Sequence, residues 1–337
     1  MLCLAFALAA CGGGVGPSPS ALPPSQVPTS GPAPTATEAI PEPASTSTST
    51  STAGPAVGGA ADDGARIVDV RDFDARTKDL RIDSPAVGVV TVRLLLPAGF
   101  VDQATKRWPS LYLLHGSGGS YLDWTGMTDV EELTASSGVL VVMPDGGDHG
   151  WYADWWNGGA GGPPKWETFH TVELPQLLER NWHASDRRAI AGLSMGGHGA
   201  IVYAARHPDL FVAAASYSGV MDPIGGAMEV NDWWGDPVAQ ANVWQAHDPV
   251  NIAKGLKGLA LYVSYGDGTP GPFDGGTVSS DDPEAWLALQ NVTFVQRLGT
   301  LGIPVTVDAY GPGSHDWPYW ERALQRSFPM LRTALGA

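Results

Sequence analysis

The sequence predicts an α/β fold, a mostly parallel central sheet with helices on both faces. Three observations carry that reading. From about residue 110, short apolar β-runs alternate with helix-length stretches. One of those runs leads directly into Gly192-Leu193-Ser194-Met195-Gly196, where a sharp strand-to-helix turn is expected. The loop after the last predicted strand, Gly311-Pro312-Gly313-Ser314-His315-Asp316-Trp317, carries a histidine back to the sheet edge where that turn lies.

In chain order, residues 1–11 read as an export segment. Leu2 to Ala10 is apolar and small, and Leu8-Ala9-Ala10-Cys11-Gly12 resembles a bacterial lipoprotein cleavage box, which makes Cys11 the expected lipidation site. The run is short and no Lys or Arg precedes it. No apolar stretch approaches the ~20 residues of a membrane span. Residues 12–62 are almost entirely Gly, Pro, Ser, Thr and Ala. Such a segment buries too little apolar surface to offset its ordering entropy and is expected to be a disordered tether. The catalytic-sized domain is expected at 63–337.

Within it, strands are expected at Arg66–Val70, Val89–Leu96, Ser110–Leu114, Val139–Met143, Arg188–Leu193, Phe211–Ser216, Leu259–Tyr265 and Pro304–Ala309. Helices are expected at Thr168–Asn181, Met195–Arg206, Pro283–Leu298 and about Trp317–Leu335. There is no internal repeat.

Composition narrows the chemistry. The 337 residues are 43% apolar, enough for a sizeable core, and carry a formal charge of −16. No Lys/Arg cluster is present, so nucleic acid is not an expected partner. Both cysteines, Cys3 and Cys11, lie at the N-terminus, so the domain has no disulfide, thiolate metal site or catalytic cysteine. No metal or organic cofactor is implied.

Gly-x-Ser-x-Gly needs an apolar strand before it and a helix after it. Ala189-Ile190-Ala191 and Gly197-His198-Gly199-Ala200 supply both. Ser194 is therefore the expected nucleophile, in the α/β-hydrolase version of the fold. The chain order Ser, acid, His then selects His315 as general base, because it alone follows the last predicted strand. His149, His170, His183, His198, His207 and His247 read as structural or exposed. Two acids stay open. Asp267 directly follows a predicted strand, and Glu284 opens the next predicted helix. Each also has a plain structural role, as a turn former or as a carboxylate in a first helical turn. The expected oxyanion donors are the backbone N–H groups of Met195 and Ser117, the latter in His115-Gly116-Ser117-Gly118-Gly119. That loop lacks the lysine and the spacing of a P-loop. Trp124, Trp151, Trp155, Trp156 and Trp317 fall in loops expected at the same edge, and Trp124, Trp155 and Trp317 are taken as substrate-contacting candidates. Trp166, Trp182 and Trp286 are expected in the core.

The chain from about Ser110 to Trp320 resembles the esterase D and antigen 85 superfamily of α/β-hydrolases, nearest its mycolyltransferase branch. The shared segments are Pro144-Asp145-Gly146-Gly147 with Trp155, Lys165-Trp166-Glu167-Thr168-Phe169, Glu173-Leu174-Pro175, Gly192-Leu193-Ser194-Met195, Asp248-Pro249, Gly266-Asp267-Gly268-Thr269-Pro270 and Ser314-His315-Asp316-Trp317-Pro318-Tyr319-Trp320. The resemblance implies Ser194 and His315 as nucleophile and base. It favours Glu284 over Asp267, because aligning Asn291-Val292-Thr293-Phe294 puts Glu284 on the branch's glutamate. It also maps the oxyanion donor onto Ser117. One departure matters: His115-Gly116-Ser117-Gly118 stands where the mycolyltransferases have Asp-Gly-Leu-Arg, residues of their sugar site. The expectation is therefore an exported serine carboxylic ester hydrolase acting on an ester or glycolipid. An acyltransferase on envelope sugars or glycerides is the alternative, and a non-catalytic surface binding protein is a third reading.

Overall fold

A computed structural model describes residues 58–101, 103, 105–158, 164–229 and 231–337. The expected export segment, Cys11 and the expected tether as far as residue 57 lie outside the described residues. Residues 59–62 run along the helix Leu174–Asn181, where Gly59 N–H donates to Asn181 Oδ1 (2.6 Å) and Asp62 N–H to Gln176 Oε1 (2.8 Å).

Among the described residues, nine strands form one sheet. An antiparallel meander comes first, β1 (Arg66–Asp72), β2 (Thr77–Ser84) and β3 (Gly88–Leu95). Then come β4 (Trp108–Leu114), β5 (Leu140–Pro144), β6 (Ala184–Leu193), β7 (Ala213–Tyr217), β8 (Ala260–Gly266) and β9 (Thr306–Gly311). The spatial order is β1-β2-β3-β5-β4-β6-β7-β8-β9. β3 meets β5 antiparallel, and β5, β4, β6, β7, β8 and β9 are mutually parallel. This is the α/β-hydrolase fold.

β2 has no counterpart among the expected strands. Lys78, Asp79, Arg81 and Asp83 hide its pattern, yet Leu80 and Ile82 are fully buried. Asp79 survives near the core because Arg93, directly opposite on β3, meets it with two bonds, Nε to Oδ1 at 2.7 Å and Nη2 to Oδ2 at 3.0 Å.

Helices cover both faces. They are α1 (Asp123–Met127), α2 (Val130–Thr134), α3 (Trp166–Thr168) continuing through a π-helical turn (Phe169–Glu173) into α4 (Leu174–Asn181), α5 (Met195–Arg206), α6 (Ala241–Ala246), α7 (Pro249–Ile252), α8 (Glu284–Thr300) and α9 (Trp317–Leu335). Alternate residues along each strand serve opposite cores. Leu111, Leu113, Ala189 and Ala191 pack with α9 through Leu324, Phe328 and Leu331. Tyr112, Leu114 and Ile190 face the other layer, with Leu177 of α4, Ile201 of α5 and Leu287 of α8. Among the tryptophans expected in the core, Trp166 and Trp182 pack against it. Trp286 does not: it lies on the exposed side of α8, 39% accessible, with its indole N–H donating to Gly226 O at 3.2 Å.

The consequence for function is positional. β4, β6, β7, β8 and β9 are parallel, so their carboxyl ends lie on one edge. The loops that follow, starting at His115, Ser194, Ser218, Asp267 and Pro312, gather there, where open α/β sheets place their sites.

Candidate active site

Ser194 sits between β6 and α5 with φ 52° and ψ −120°, a conformation that costs a side-chain-bearing residue about 1–3 kcal/mol. The surroundings enforce it. Ser194 N–H donates to Tyr217 O (2.9 Å), and its carbonyl accepts from His198 N–H (3.0 Å). The flanking glycines permit the close passage. A Cβ on Gly192 would stand 2.3 Å from Gly196 O, and one on Gly196 would stand 2.5 Å from both Leu114 O and His115 O.

Glu284 and His315 meet on the same edge. The Nδ1–H of His315 donates to Glu284 Oε2 at 2.8 Å. The carboxylate is fully buried, and its other oxygen accepts from Ser218 Oγ–H (2.7 Å), Gly266 N–H (2.6 Å) and Tyr310 O–H (3.4 Å). A buried carboxylate so supplied with donors has its lone pairs satisfied. With Nδ1 carrying the proton, Nε2 of His315 is the basic nitrogen. The ring edge packs on Trp320, 4.8 Å between centroids at 83°.

Asp267 does not take part. Its carboxylate turns back on its own loop, accepting from Thr269 N–H (2.8 Å) and Thr269 Oγ–H (2.5 Å), the turn-forming role.

Ser194 and His315 line one cavity of about 310 Å³, together with Gly116, Ser117, Gly119, Asp123, Leu193, Pro283, Trp317 and Trp320. The loop after β4 lies directly against Ser194, since a Cβ on Gly116 would be 3.5 Å from Ser194 Cβ. His115 orders that loop from beneath. Gly146 N–H donates to its Nε2 (2.8 Å), so Nδ1 carries the proton and donates to Gly116 O (2.7 Å). Gly119 N–H also donates to Gly116 O (3.2 Å). In a trans peptide the N–H of Ser117 points opposite to that carbonyl. The hydroxyl of Ser117 hydrogen-bonds His149.

Of the tryptophan candidates, the structure brings Trp317 to the cavity. Trp124 is 1% exposed, its indole N–H donating to Leu114 O (3.2 Å). It backs Trp317 edge-to-face at 5.4 Å and cannot touch a substrate itself. Trp155 is half-buried, bonded to Gly150 O (3.2 Å), and does not line the cavity. Trp151 is buried against Trp233 and Trp234.

The histidines read as structural have structural partners. His170 bridges Asp145 O (2.9 Å) and the Tyr203 hydroxyl (3.1 Å), and burial pushes its pKa down to about 4. His198 donates to Val220 O (2.8 Å), and burial lowers its pKa to about 3. Sequence reasoning missed Ser218 and Tyr310 as partners of Glu284. Each follows or ends a strand, which places it at this edge, but no motif spacing marks it.

The sequence profile of the family described as "Putative esterase" matches residues 88–331. Diacylglycerol acyltransferase/mycolyltransferase Ag85A of Mycobacterium gordonae is 35% identical over 253 residues, spanning 68% of this chain and 74% of the relative. The Ag85B protein of Mycobacterium leprae is also 35% identical over 253 residues, spanning 68% and 77%. Among solved structures, MPT51 (FbpC1) of Mycobacterium tuberculosis superposes with a TM-score of 0.64 at 25% identity, over 78% of this chain and all of that one. FphF, a fluorophosphonate-binding serine hydrolase of Staphylococcus aureus, superposes with a TM-score of 0.60 at 24% identity, over 75% and 97%, a likeness of fold.

Proposed function

The chain belongs to this esterase family and is an enzyme of ester and acyl transfer, and from that premise we propose that it is a serine carboxylic ester hydrolase working through an acyl-enzyme on Ser194. The observation that carries the proposal is the buried Glu284 carboxylate holding His315 Nδ1 at 2.8 Å, with His315 lining the same cavity as the strained Ser194.

The geometry supports the following steps. Nε2 of His315 takes the Ser194 hydroxyl proton as Oγ attacks the ester carbonyl carbon, and Glu284 stabilises the imidazolium that forms. The backbone N–H groups of Ser117 and Met195 receive the oxyanion. The tetrahedral adduct collapses, the C–O bond to the alcohol breaks, and the imidazolium returns the proton to the leaving alkoxide. Water then repeats the sequence on the acyl-enzyme and releases a carboxylic acid. Trp317 lines the cavity and offers an aromatic wall to the alcohol or acyl group.

The names of the relatives favour a second reading, in which a sugar or glycerol hydroxyl replaces water as the acceptor. The His115-Gly116-Ser117-Gly118 loop supports hydrolysis, because the aspartate and arginine of the acceptor site are missing from it. Export, with lipid attachment at Cys11, belongs to the same proposal and rests on the N-terminal sequence. Among the described residues, no helix is long and apolar enough to cross a membrane.

The test is turnover of p-nitrophenyl esters of graded acyl length, with and without trehalose or glycerol, beside Ser194→Ala. Nitrophenol release that is lost in the variant and unaffected by the alcohols is expected. Acylated sugar or glycerol among the products would move the assignment to transfer. No release at any length would overturn both readings for simple esters.

A further inference from the structure

Glu284 and His315 sit on different segments, the start of α8 and the loop between β9 and α9. One side chain joins those segments outside the triad itself. The carboxylate of Asp282 accepts from the backbone N–H of Glu284 (Oδ1, 2.9 Å) and from the backbone N–H of His315 (Oδ2, 3.0 Å; Oδ1, 3.3 Å). The first bond satisfies a donor that a helix start leaves without an intrahelical partner, where Pro283 offers no side-chain cap. The second fixes the backbone of the base. From the residue just before His315, Ser314 Oγ–H donates to Asp274, and Asp274 also holds Gly271 N–H (2.6 Å) and the Tyr319 hydroxyl (2.8 Å). Asp274 therefore anchors the His315 loop to the β8–α8 loop without touching Glu284.

We propose that Asp282 is a positioning residue of the triad, a carboxylate that sets the spacing of acid and base by binding both of their backbones at once. This rests on the ester-hydrolase reading for its catalytic consequence, but the juxtaposition does not depend on substrate. Three replacements separate the possible roles in the full chain. Asp282→Asn keeps one oxygen for Glu284 N–H and sets its amide NH2, a donor, where Oδ2 accepts from His315 N–H. Asp282→Ser keeps a short cap for Glu284 N–H and cannot reach His315. Asp282→Ala keeps neither. The Ser and Ala variants should lower kcat on a p-nitrophenyl ester by about 10- to 100-fold, the scale of a small misplacement of reacting groups, with KM within about twofold. Asp282→Asn, which still caps Glu284 but turns a donor on His315 N–H, should be as slow as the Ser variant. The Ser variant should melt near the wild type, which separates the loss of rate from loss of fold.

The far-downfield proton resonance of His315 Nδ1–H provides a readout that needs no substrate. It should weaken or shift in both Asp282→Ser and Asp282→Asn. A Ser variant with wild-type kcat and an unchanged resonance would reduce Asp282 to a helix cap and overturn the proposal. So would an Asn variant with wild-type kcat. A wild-type protein inactive on all esters would count against the ester-hydrolase reading, while the resonance would still decide the role of Asp282.

Discussion

The carboxylate of Glu284 and the imidazole of His315 meet at 2.8 Å across a sequence separation of 31 residues, with the carboxylate fully buried. Every donor around that carboxylate comes from the end of a parallel strand or from the loop after one: Ser218 after β7, Gly266 on β8, Tyr310 on β9 and His315 beyond β9. The sheet edge is thus what brings this carboxylate and imidazole together.

Glu284→Gln keeps the shape and most of the donors' contacts but can turn an N–H toward His315 Nδ1. The imidazole then loses its fixed tautomer, and kcat should fall by about 10⁴-fold with little change in melting temperature. Glu284→Ala should be equally slow and less stable as well, because Ser218 and Gly266 lose their acceptor at about 1–3 kcal/mol for each stranded group. Steady-state rates and thermal melts of the two variants check this. A Gln variant within tenfold of wild type would contradict the assignment of the acid.

His115 is buried and touches the loop rather than the cavity: it holds Gly116 O, and with it the direction of the Ser117 N–H. His115→Ala should cut kcat by about 10²-fold, the scale of one oxyanion donor, with KM nearly unchanged. A proportional rise in KM instead would assign the loop to substrate binding.

Gly196→Ala would drive a methyl to 2.5 Å from Leu114 O and His115 O, both backbone atoms that cannot swing aside. The variant should lose about 1–3 kcal/mol by urea denaturation and most of its ester turnover, because the shift falls between the elbow and the loop after β4. Wild-type stability would show that the strand ends part without cost.

Glu173 gives a pH test away from the site. It is buried, accepting from Ser84 Oγ–H (2.5 Å) and Ala86 N–H (3.0 Å). Burial, with the Asp63 carboxylate beside it, pushes its carboxyl up to about 7, whereas an unfolded glutamate titrates near ~4.3. The fold therefore favours the protonated form. That contribution is complete below ~4.3 and is lost as pH rises through about 7. The stability of Glu173→Gln relative to wild type should climb between about pH 4 and pH 7 and level off above that in denaturant titrations. A difference that stays flat with pH would contradict the assignment.

The sequence carried the sheet's parallel half and the placing of Ser194 and His315 at its edge because both are written locally. Apolar runs mark β4 to β8, Gly192 and Gly196 mark the elbow, and the loop after β9 marks the histidine. β2 was illegible because the charge of Asp79 is cancelled by Arg93, a residue on another strand. The choice between Asp267 and Glu284 could not be made from the residues alone, since each follows β8 and only the fold turns one back onto Thr269 and the other toward His315. Trp124 read as a loop residue at the rim, but its indole N–H has Leu114 O to bond, so it packs under the loop instead.

The most direct test is the mass of the intact protein, quenched with acid during turnover of a slow ester and then digested to locate any adduct. One acyl group should be added, on the peptide containing Ser194, discharged on return to neutral buffer and absent from Ser194→Ala. Steady turnover with no adduct at any quench time and a similar rate in Ser194→Ala would contradict it.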